Sequence, residues 1–200
     1  SKKISAYSLK DQAAATDAVL YEGNLYTLSG NTIYKYADAV TGGIKRATWT
    51  SDSASPVIGR EGSQRASASN GASGNLVSIT ADGNIYALTS DGKLITYFKG
   101  KKTGELDLQL IPPPGSRIFT FKDSAFIYLA DKTNKKVYVF DKANGSLKTT
   151  YKLDPVKSSE AGAKQFDGVD LTGTPQDIFI SPDGAVWILT ADNKVWVIKP

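Results

Sequence analysis

Residues 84–106 read NIYALTSDGKLITYFKGKKTGEL, and this stretch shows the pattern that the rest of the chain repeats. Apolar and polar side chains alternate on both sides of Asp91-Gly92, a residue pair that favours a tight hairpin turn. A further turn is expected in the Lys/Gly-rich part of the stretch, so the pattern predicts three consecutive antiparallel strands. Recognisable copies of the stretch occur three more times, which indicates an internal repeat.

The first copy predicts four strands, over Ala18–Tyr21, Asn24–Leu28, Thr32–Tyr36 and Ile44–Trp49. The second copy spans Leu76–Leu110, the third spans Arg117–Leu153, and the fourth, residues 177–200, supplies three strands. Three positions recur in the aligned copies. They are an aromatic residue in the second strand (Tyr26, Tyr86, Tyr128, Trp187), a residue in the third strand (Tyr36, Tyr97, Phe140, Ile198), and a [Thr/Asn]-Gly-x-[Ile/Leu] turn before the fourth strand (40–44, 102–106, 143–147).

Four-stranded units repeated at this scale are typical of propeller blades, which bury their apolar faces against each other. The chain is therefore predicted to be an all-β propeller with four recognisable four-stranded blades, forming a single domain over residues 1–200. The recurrent aromatic residues are 60, 42 and 59 residues apart, a long-short-long pattern that favours a closed ring of four blades. A spare strand at residues 3–9 is expected to complete the last blade, although it could also belong to a missing blade of a larger propeller.

The chain contains no Cys, His or Met. This absence excludes a disulfide framework, zinc sites built on Cys or His, and nucleophilic mechanisms that need a Cys thiolate or a His base. No catalytic residues and no metal ligands are assigned. Calcium is the alternative cofactor, because Asp167, Asp170 and Asp177 could supply oxygen ligands. The three tryptophans are expected in the core, because they fall on strands.

The net charge is +4, with 24 basic and 20 acidic residues. The lysines are scattered among expected turns and do not gather on one face with aromatic residues between them, so nucleic acid is not expected as a partner. No apolar run approaches the roughly 18 residues that a membrane-spanning helix needs, so membrane insertion is not expected.

Two long connections, 51–75 and 154–176, each join an outer strand to the next inner strand. Connections of this length are commonly functional or disordered, and a short helix is expected near 159–164. Both should emerge on one face of the ring and carry the candidate binding residues Arg60, Arg65, Lys164, Asp167 and Asp170. Asp17, Asn75, Arg117 and Asp177 mark the starts of the inner strands, where a propeller's central channel opens; of these, Asp17, Arg117 and Asp177 are added to the candidate set.

The hairpins YADAVTGGIKRATW and FDKANGSLKTTY resemble the Asp-x-x-[Thr/Asn]-Gly turns of PQQ-type propeller repeats. The unit PQDIFISPDGAVWILTADNKVWVI is similar to NHL or SMP-30-type blades. The order DGNIYALTSDGKLITYFKGK followed by IYLADKTNKKVYVFDK resembles propeller regions of membrane-anchored bacterial proteins. These resemblances imply a fold, and no catalytic residues of those families match positions in this chain.

The leading hypothesis is a non-enzymatic binding or scaffolding propeller, extracellular or at a bacterial cell surface. It would recognise a protein or a glycan through the face bearing the two long connections. The alternative is a metal-dependent hydrolase or lactonase of the SMP-30 type, using carboxylates at the channel mouth. A monomer is favoured over a ring made of two chains.

Overall fold

A computed structural model of the chain describes residues 14–37, 39, 45–48, 74–152, 164–165, 175–191 and 193–198. These residues form strands and turns, and they contain no helix of the length and apolarity that a membrane crossing requires. The strands are β1 (Asp17–Tyr21), β2 (Asn24–Ser29), β3 (Thr32–Ala37), β4 (Lys45–Thr48), β5 (Leu76–Ala81), β6 (Ile85–Thr89), β7 (Lys93–Phe98), β8 (Lys101–Asp107), β9 (Arg117–Phe119), β10 (Phe126–Asp131), β11 (Lys136–Asp141), β12 (Leu147–Lys152), β13 (Lys164–Gln165), β14 (Pro175–Ile180), β15 (Val186–Thr190) and β16 (Val195–Ile198).

The strands assemble into four sheets, which we call blades 1 to 4. Blade 1 is β1-β2-β3-β4, blade 2 is β5-β6-β7-β8, blade 3 is β9-β10-β11-β12 with β13 added at its outer edge, and blade 4 is β14-β15-β16. Apart from β13, each strand pairs antiparallel with its sequence neighbours in the same blade. The predicted all-β class and the predicted four units are thus confirmed.

The pairing registers confirm the alignment of the repeats. The recurrent aromatic residue of the second strand lies opposite the inner strand in every blade, in the pairs Val19–Tyr26, Thr80–Tyr86, Phe119–Tyr128 and Phe179–Trp187. The recurrent third-strand residue lies opposite the residue before that aromatic, in the pairs Leu25–Tyr36, Ile85–Tyr97, Ile127–Phe140 and Val186–Ile198. One numbering of positions therefore applies to all four blades.

The turn predicted between the third and fourth strands is found in blade 3, but its predicted position is wrong in blade 2. In blade 3, Asn144-Gly145 lies between β11 and β12, and the Asp141 carboxylate accepts the Ala143 N–H at 2.8 Å. In blade 2 the chain reverses at Lys99-Gly100, both with positive φ (48° and 83°), as a two-residue hairpin turn requires. Thr103-Gly104 consequently lies inside β8. The corresponding residues 40–44 of blade 1 lie outside the described residues.

The core consists of three clusters, each lying between two adjacent blades. Blades 1 and 2 share a cluster around Leu28, Ile33 and Ile85. Blades 2 and 3 share one that contains Leu88, Ile118, Ile127 and Phe140, and blades 3 and 4 share one that contains Val137, Ile178, Ile180 and Ile188. Full burial of one such side chain contributes about 1.5–3 kcal/mol, so contact between neighbouring blades dominates the stability of the fold.

The expected closure of four blades into a ring is not seen. Among the described residues, no core cluster joins blade 4 to blade 1, so the blades follow one another in an open series. The outward face of blade 4 exposes apolar side chains, including Trp187 at 42% exposure. Trp187 is thus not in the core as predicted, because no further blade of the described residues covers it. Residues 3–9, the strand expected to complete the last blade, and Trp49 lie outside the described residues.

The helix expected near 159–164 is wrong at its last residue, Lys164, which lies in a short strand. Lys164 and Gln165 form β13, which pairs parallel with Tyr151 and Lys152 of the outer strand β12. The open edge of β12 offers unpaired backbone groups, and a short extended segment satisfies them. Residues 159–163 lie outside the described residues.

Candidate binding site beside the inner strands

The pairing registers make Asp17, Ser78, Arg117 and Asp177 equivalent, because each lies two residues before the residue opposite the recurrent aromatic. We call this position 1 of the inner strand. Asp17, Arg117 and Asp177 were predicted from the strand starts, whereas blade 2 has Ser78 here in place of the predicted Asn75. The register of β5 shifts between Leu76 and Ser78, so counting along the sequence selects the wrong residue.

Asn75 instead joins blades 1 and 2 at the surface. Its side-chain oxygen accepts a hydrogen bond from the amide of Asn31 at 3.1 Å. The Asn31 oxygen in turn accepts the Leu76 N–H at 2.9 Å. Asn75 therefore anchors the entry to β5 rather than facing a ligand.

The Asp17 carboxylate is buried and joins the inner strands. Its Oδ2 accepts the Ser78 hydroxyl at 2.6 Å and the Ile79 N–H at 2.9 Å, and its Oδ1 accepts the Ala18 N–H at 2.9 Å. Ser78 Oγ accepts the Ile118 N–H at 3.0 Å. One chain of hydrogen bonds thus connects blades 3, 2 and 1, and the carboxylate of Asp17 is fully used by the fold.

A second hydrogen bond between the inner strands of blades 2 and 3 lies two residues further along each strand. The Thr80 hydroxyl accepts the Thr120 N–H at 3.1 Å, and the Thr120 hydroxyl donates to the Phe126 carbonyl at 2.9 Å. Both threonines are buried. The polar side chains of the inner strands are therefore structural groups, which leaves apolar side chains and cations as the chemistry open to a ligand.

A cavity of about 590 Å³ opens beside the inner strands β1, β5 and β9. Phe179 of β14 and Pro182 in the turn after it contribute to the lining from blade 4. Most of the lining is apolar, and the cations belong to blade 3, with Arg117 at the start of β9 and Lys122 in the turn after it. The two cations thus lie toward opposite ends of the cavity.

Aromatic rings form much of the wall on the side of blades 3 and 4. The rings of Phe119 and Phe179 meet edge to face, with centroids 5.8 Å apart and an interplanar angle of 88°. Phe121 lies against Tyr128 at 6.2 Å. Such aromatic walls provide large apolar contact areas at a small cost in side-chain entropy.

At the end of the cavity where the inner strands finish, the polar groups are mixed in sign. Burial, followed by the nearby Glu22 carboxylate, raises the pKa of the Tyr21 phenol, which stays protonated at neutral pH. Asp82 forms a partly buried ion pair with Lys142, whose ammonium also lies 5.7 Å from the centre of the Tyr86 ring. This end of the cavity thus has carboxylates beside its lining cation Lys122, whereas the exposed Arg117 is the lining cation at the opposite end.

The structure brings together only part of the predicted site. Asp17 and Arg117 both line the cavity, and Asp177 is exposed at the start of the next inner strand. Lys164 lies in β13, at the edge of blade 3 farthest from the inner strand β9. Arg60, Arg65, Asp167 and Asp170 lie outside the described residues. In the ranges that the structure describes, no group of three or more acidic side chains is arranged to hold a metal ion.

Sequence reasoning missed Phe119, Phe121 and Phe179, which line the cavity. The repeat alignment could have identified two of them, because Phe119 and Phe179 both lie at the inner-strand position opposite the recurrent aromatic. Val19 and Thr80 hold the same position in blades 1 and 2. Aligning the inner strands by register, rather than by their first residues, would have identified the wall.

No protein-family model matches the chain, and no curated protein sequence matches it. Solved structures do match. The β-propeller protein Hsv2 of Kluyveromyces lactis, with loop 6CD replaced by a Gly-Ser linker, aligns at a TM-score of 0.52 and 13% identity over 96% of this chain and 52% of its own. BamB from Moraxella catarrhalis aligns at 0.48 and 12% identity over 92% and 43%, and the computationally designed protein Ika4 at 0.48 and 12% over 96% and 95%.

The chain thus spans about half the length of Hsv2 and BamB. At 13% identity, the likeness to Hsv2 shows the fold and nothing further. Together with the four sheets, it confirms the predicted β-propeller architecture.

Proposed function

We propose that this chain is a non-enzymatic binding propeller that holds a protein partner at its central cavity. The observation that carries the proposal is the cavity of about 590 Å³, lined by apolar and aromatic side chains and bearing Arg117 at one end. Concave, mainly apolar sites with a few polar groups are typical of binding sites. The partner would insert an apolar or aromatic side chain and place a carboxylate against Arg117.

The hydrogen bonds of the inner strands support binding over catalysis. Asp17, the carboxylate in the cavity lining, already accepts three hydrogen bonds through its two oxygens. A hydrolase of the SMP-30 type would require such a carboxylate to be free for a metal ion or a proton. No observation on the described residues favours that alternative.

The lining supports a protein partner over a glycan. Sugars are held by side chains that donate and accept many hydrogen bonds, whereas Ser78, Thr80 and Thr120 direct theirs to neighbouring blades. Apolar side chains and an Arg guanidinium are typical of protein-binding hot spots. We propose that segments 51–75 and 154–176 add to the same face, because β5 and β14 begin next to the residues where those segments end.

We propose an extracellular or cell-surface role in a bacterial protein, with blades related to the PQQ-type, NHL or SMP-30-type repeats. The local turn at Asp141 supports the first resemblance, since its carboxylate accepts the Ala143 N–H as the Asp-x-x-Asn-Gly pattern implies.

A selection from a random peptide library displayed on phage tests the proposal. We expect enrichment of peptides that pair an aromatic or large apolar residue with Asp or Glu. Binding of the selected peptides should fall at least tenfold in Arg117→Glu, since a repulsive contact replaces an attractive one. Lys101→Glu is the matched control, because Lys101 is exposed on the outer strand β8 and the change in net charge is the same.

Two outcomes would overturn the proposal. Selected peptides that bind Arg117→Glu and the unaltered chain equally would place binding elsewhere. Strong signals on a glycan array, without any peptide enrichment, would favour a glycan partner instead.

A further inference from the structure

A repeated hydrogen bond joins the inner strands of neighbouring blades. The residue after position 1 donates its backbone N–H to the position-1 side chain of the preceding blade. Ile79 donates in this way to Asp17 at 2.9 Å, and Ile118 donates to Ser78 at 3.0 Å. The acceptors at position 1 of blades 1 and 2 thus each receive the N–H of the next blade.

Asp177 holds position 1 in blade 4, but its acceptor capacity is not used in this way. Among the described residues, its carboxylate accepts only the N–H of its own neighbour Ile178, at 3.0 Å. Asp177 is exposed, whereas Asp17 is 8% exposed. Blade 4 therefore presents the acceptor that elsewhere binds a following blade.

The same face of blade 4 is apolar and exposed. Inward-facing residues of the three strands, such as Ile178, Ile180 and Ile188, are buried against blade 3. The alternate residues point the other way, and they are Phe179 (52% exposed), Trp187 (42%), Leu189 (42%), Val195 (59%) and Val197 (42%). Of these, Phe179 lies at the inner edge, where its ring also touches Phe119 of blade 3. The register places these five side chains side by side, with Phe179 opposite Trp187 and Leu189 opposite Val195. A contiguous apolar patch of this kind marks an interaction surface.

Blade 1 carries the complementary features. In blade 2, Ile79 and Ala81 are 2% and 6% exposed, because they pack against blade 1. The equivalent residues of blade 1 are Ala18 and Leu20, and both are exposed, Leu20 at 58%. The Ala18 N–H, which would serve a preceding blade, donates among the described residues to the carboxylate of its own neighbour Asp17. Within the part of the chain that the structure describes, blade 1 thus has no blade packed before it and blade 4 has none packed after it.

We propose that the outward face of blade 4 binds blade 1 of a second copy of this chain, and that two copies complete one ring of eight blades. The second copy is favoured because its blade 1 supplies both the N–H donor and the apolar inner strand that blade 4 lacks. A twofold axis makes the two new interfaces identical and leaves no open sheet face. This proposal departs from the monomer that the sequence favoured, which stays a prediction.

Light scattering on the 200-residue chain gives the first test. We expect a mass of twice 21.4 kDa at high micromolar concentration. Leu189→Lys should halve that mass without loss of the β-sheet circular dichroism signal, because Leu189 is exposed within the chain. Ile111→Lys is the matched control, since Ile111 is 76% exposed and lies outside blade 4. A monomer for the unaltered chain would overturn the proposal.

Disulfide trapping gives the second test. The chain has no Cys, so any disulfide must join the introduced residues. Chains carrying Asp177→Cys and chains carrying Ala18→Cys are mixed and oxidised. We expect a linked pair of chains from the mixture and from neither variant alone. A single chain bearing both substitutions that closes on itself, with no linked pairs in the mixture, would show a closed four-bladed ring and overturn the proposal. Asp17→Cys with Ile79→Cys is the reference pair within one chain, where the same spacing is already formed.

Discussion

The carboxylate of Asp17 accepts the backbone N–H of Ile79 at 2.9 Å and thereby joins the inner strands of blades 1 and 2. The same oxygen accepts the Ser78 hydroxyl at 2.6 Å, and Ser78 accepts the Ile118 N–H from blade 3. The buried carboxylate thus binds Ser78, 61 positions away in sequence, directly, and Ile118, a further 40 positions along, through the Ser78 hydroxyl. Stability should therefore depend strongly on this position.

Asp17→Ala should lower the free energy of unfolding by about 2–3 kcal/mol, because the Ile79 N–H and the Ser78 hydroxyl lose their acceptor in a buried setting. Ser78→Ala should cost about 1–2 kcal/mol for the same reason. The double variant should lose less than the sum, since both changes break the same chain of hydrogen bonds. Urea denaturation of the four proteins measures this coupling. Strict additivity would show that the two contacts act independently.

Gly92→Ala should be one of the most damaging single-methyl changes in the chain. Gly92 has φ near 87°, and a Cβ there would lie 2.1 Å from the backbone oxygen of Leu110. The Gly92 carbonyl also accepts the Leu108 N–H, so the backbone cannot shift away without breaking that bond. We expect a loss above about 3 kcal/mol, read from the thermal midpoint.

Gly115→Ala is the control for that change. Gly115 has a similar φ of 79°, and nothing lies within 4 Å of an added Cβ. Its cost should be about 1 kcal/mol, from backbone strain alone. Equal losses at the two positions would mean that the contact with Leu110 is unimportant.

Lys142→Met should destabilise the contact between blades 2 and 3. The Lys142 ammonium pairs with Asp82, and the two side chains are only 13% and 10% exposed. Removal of the cation leaves a carboxylate in a poorly hydrated place, at a cost of about 2 kcal/mol. Adding Asp82→Asn should recover most of that loss, because the uncompensated charge disappears. Denaturation midpoints measure both effects, and a double variant less stable than Lys142→Met would contradict this explanation.

Acid should weaken blade 2 through Glu105. Hydrogen bonds from Lys102 and then Lys93 lower the pKa of the Glu105 carboxyl below its ordinary value of 4.5. A carboxyl whose pKa is lowered by folding stabilises the fold above its unfolded pKa, and that contribution disappears as the pH falls through the lowered value. Glu105 is about one third exposed, so the effect should be small, roughly 0.5 kcal/mol.

Glu105→Gln removes this pH dependence. The loss of stability between about pH 5 and about pH 3 should be smaller in Glu105→Gln than in the unaltered chain. Lys102→Met should also make that loss of stability smaller, because Lys102 is the main cause of the lowered pKa of Glu105. Parallel stability curves for all three proteins would dismiss the contribution of Glu105.

Local patterns predicted the strands well, because hairpins are encoded by residues close together in sequence. Alternation around Asp91-Gly92 gave β6 and β7, and the aligned aromatic residues gave the register. The turn of blade 2 was misplaced because Lys99-Gly100, with positive φ at both residues, reverses the chain before Thr103-Gly104. The predicted Asn75 lies three positions before Ser78, because β5 begins at Leu76, two residues before position 1, and its register shifts between Leu76 and Ser78. Bulges and turn conformations depend on backbone geometry that residue types specify only weakly.

The sequence by itself determined the four repeated units, because alternation and turn residues act over a few positions. Only the tertiary structure decided which side chains meet across blades, as Asp17 meets Ser78 and as Phe119 meets Phe179. It also decided that Trp187 is exposed while Tyr26, at the equivalent position, is buried. The physical reason is that a strand's alternation encodes two apolar faces, whereas burial depends on whether another blade lies against each face.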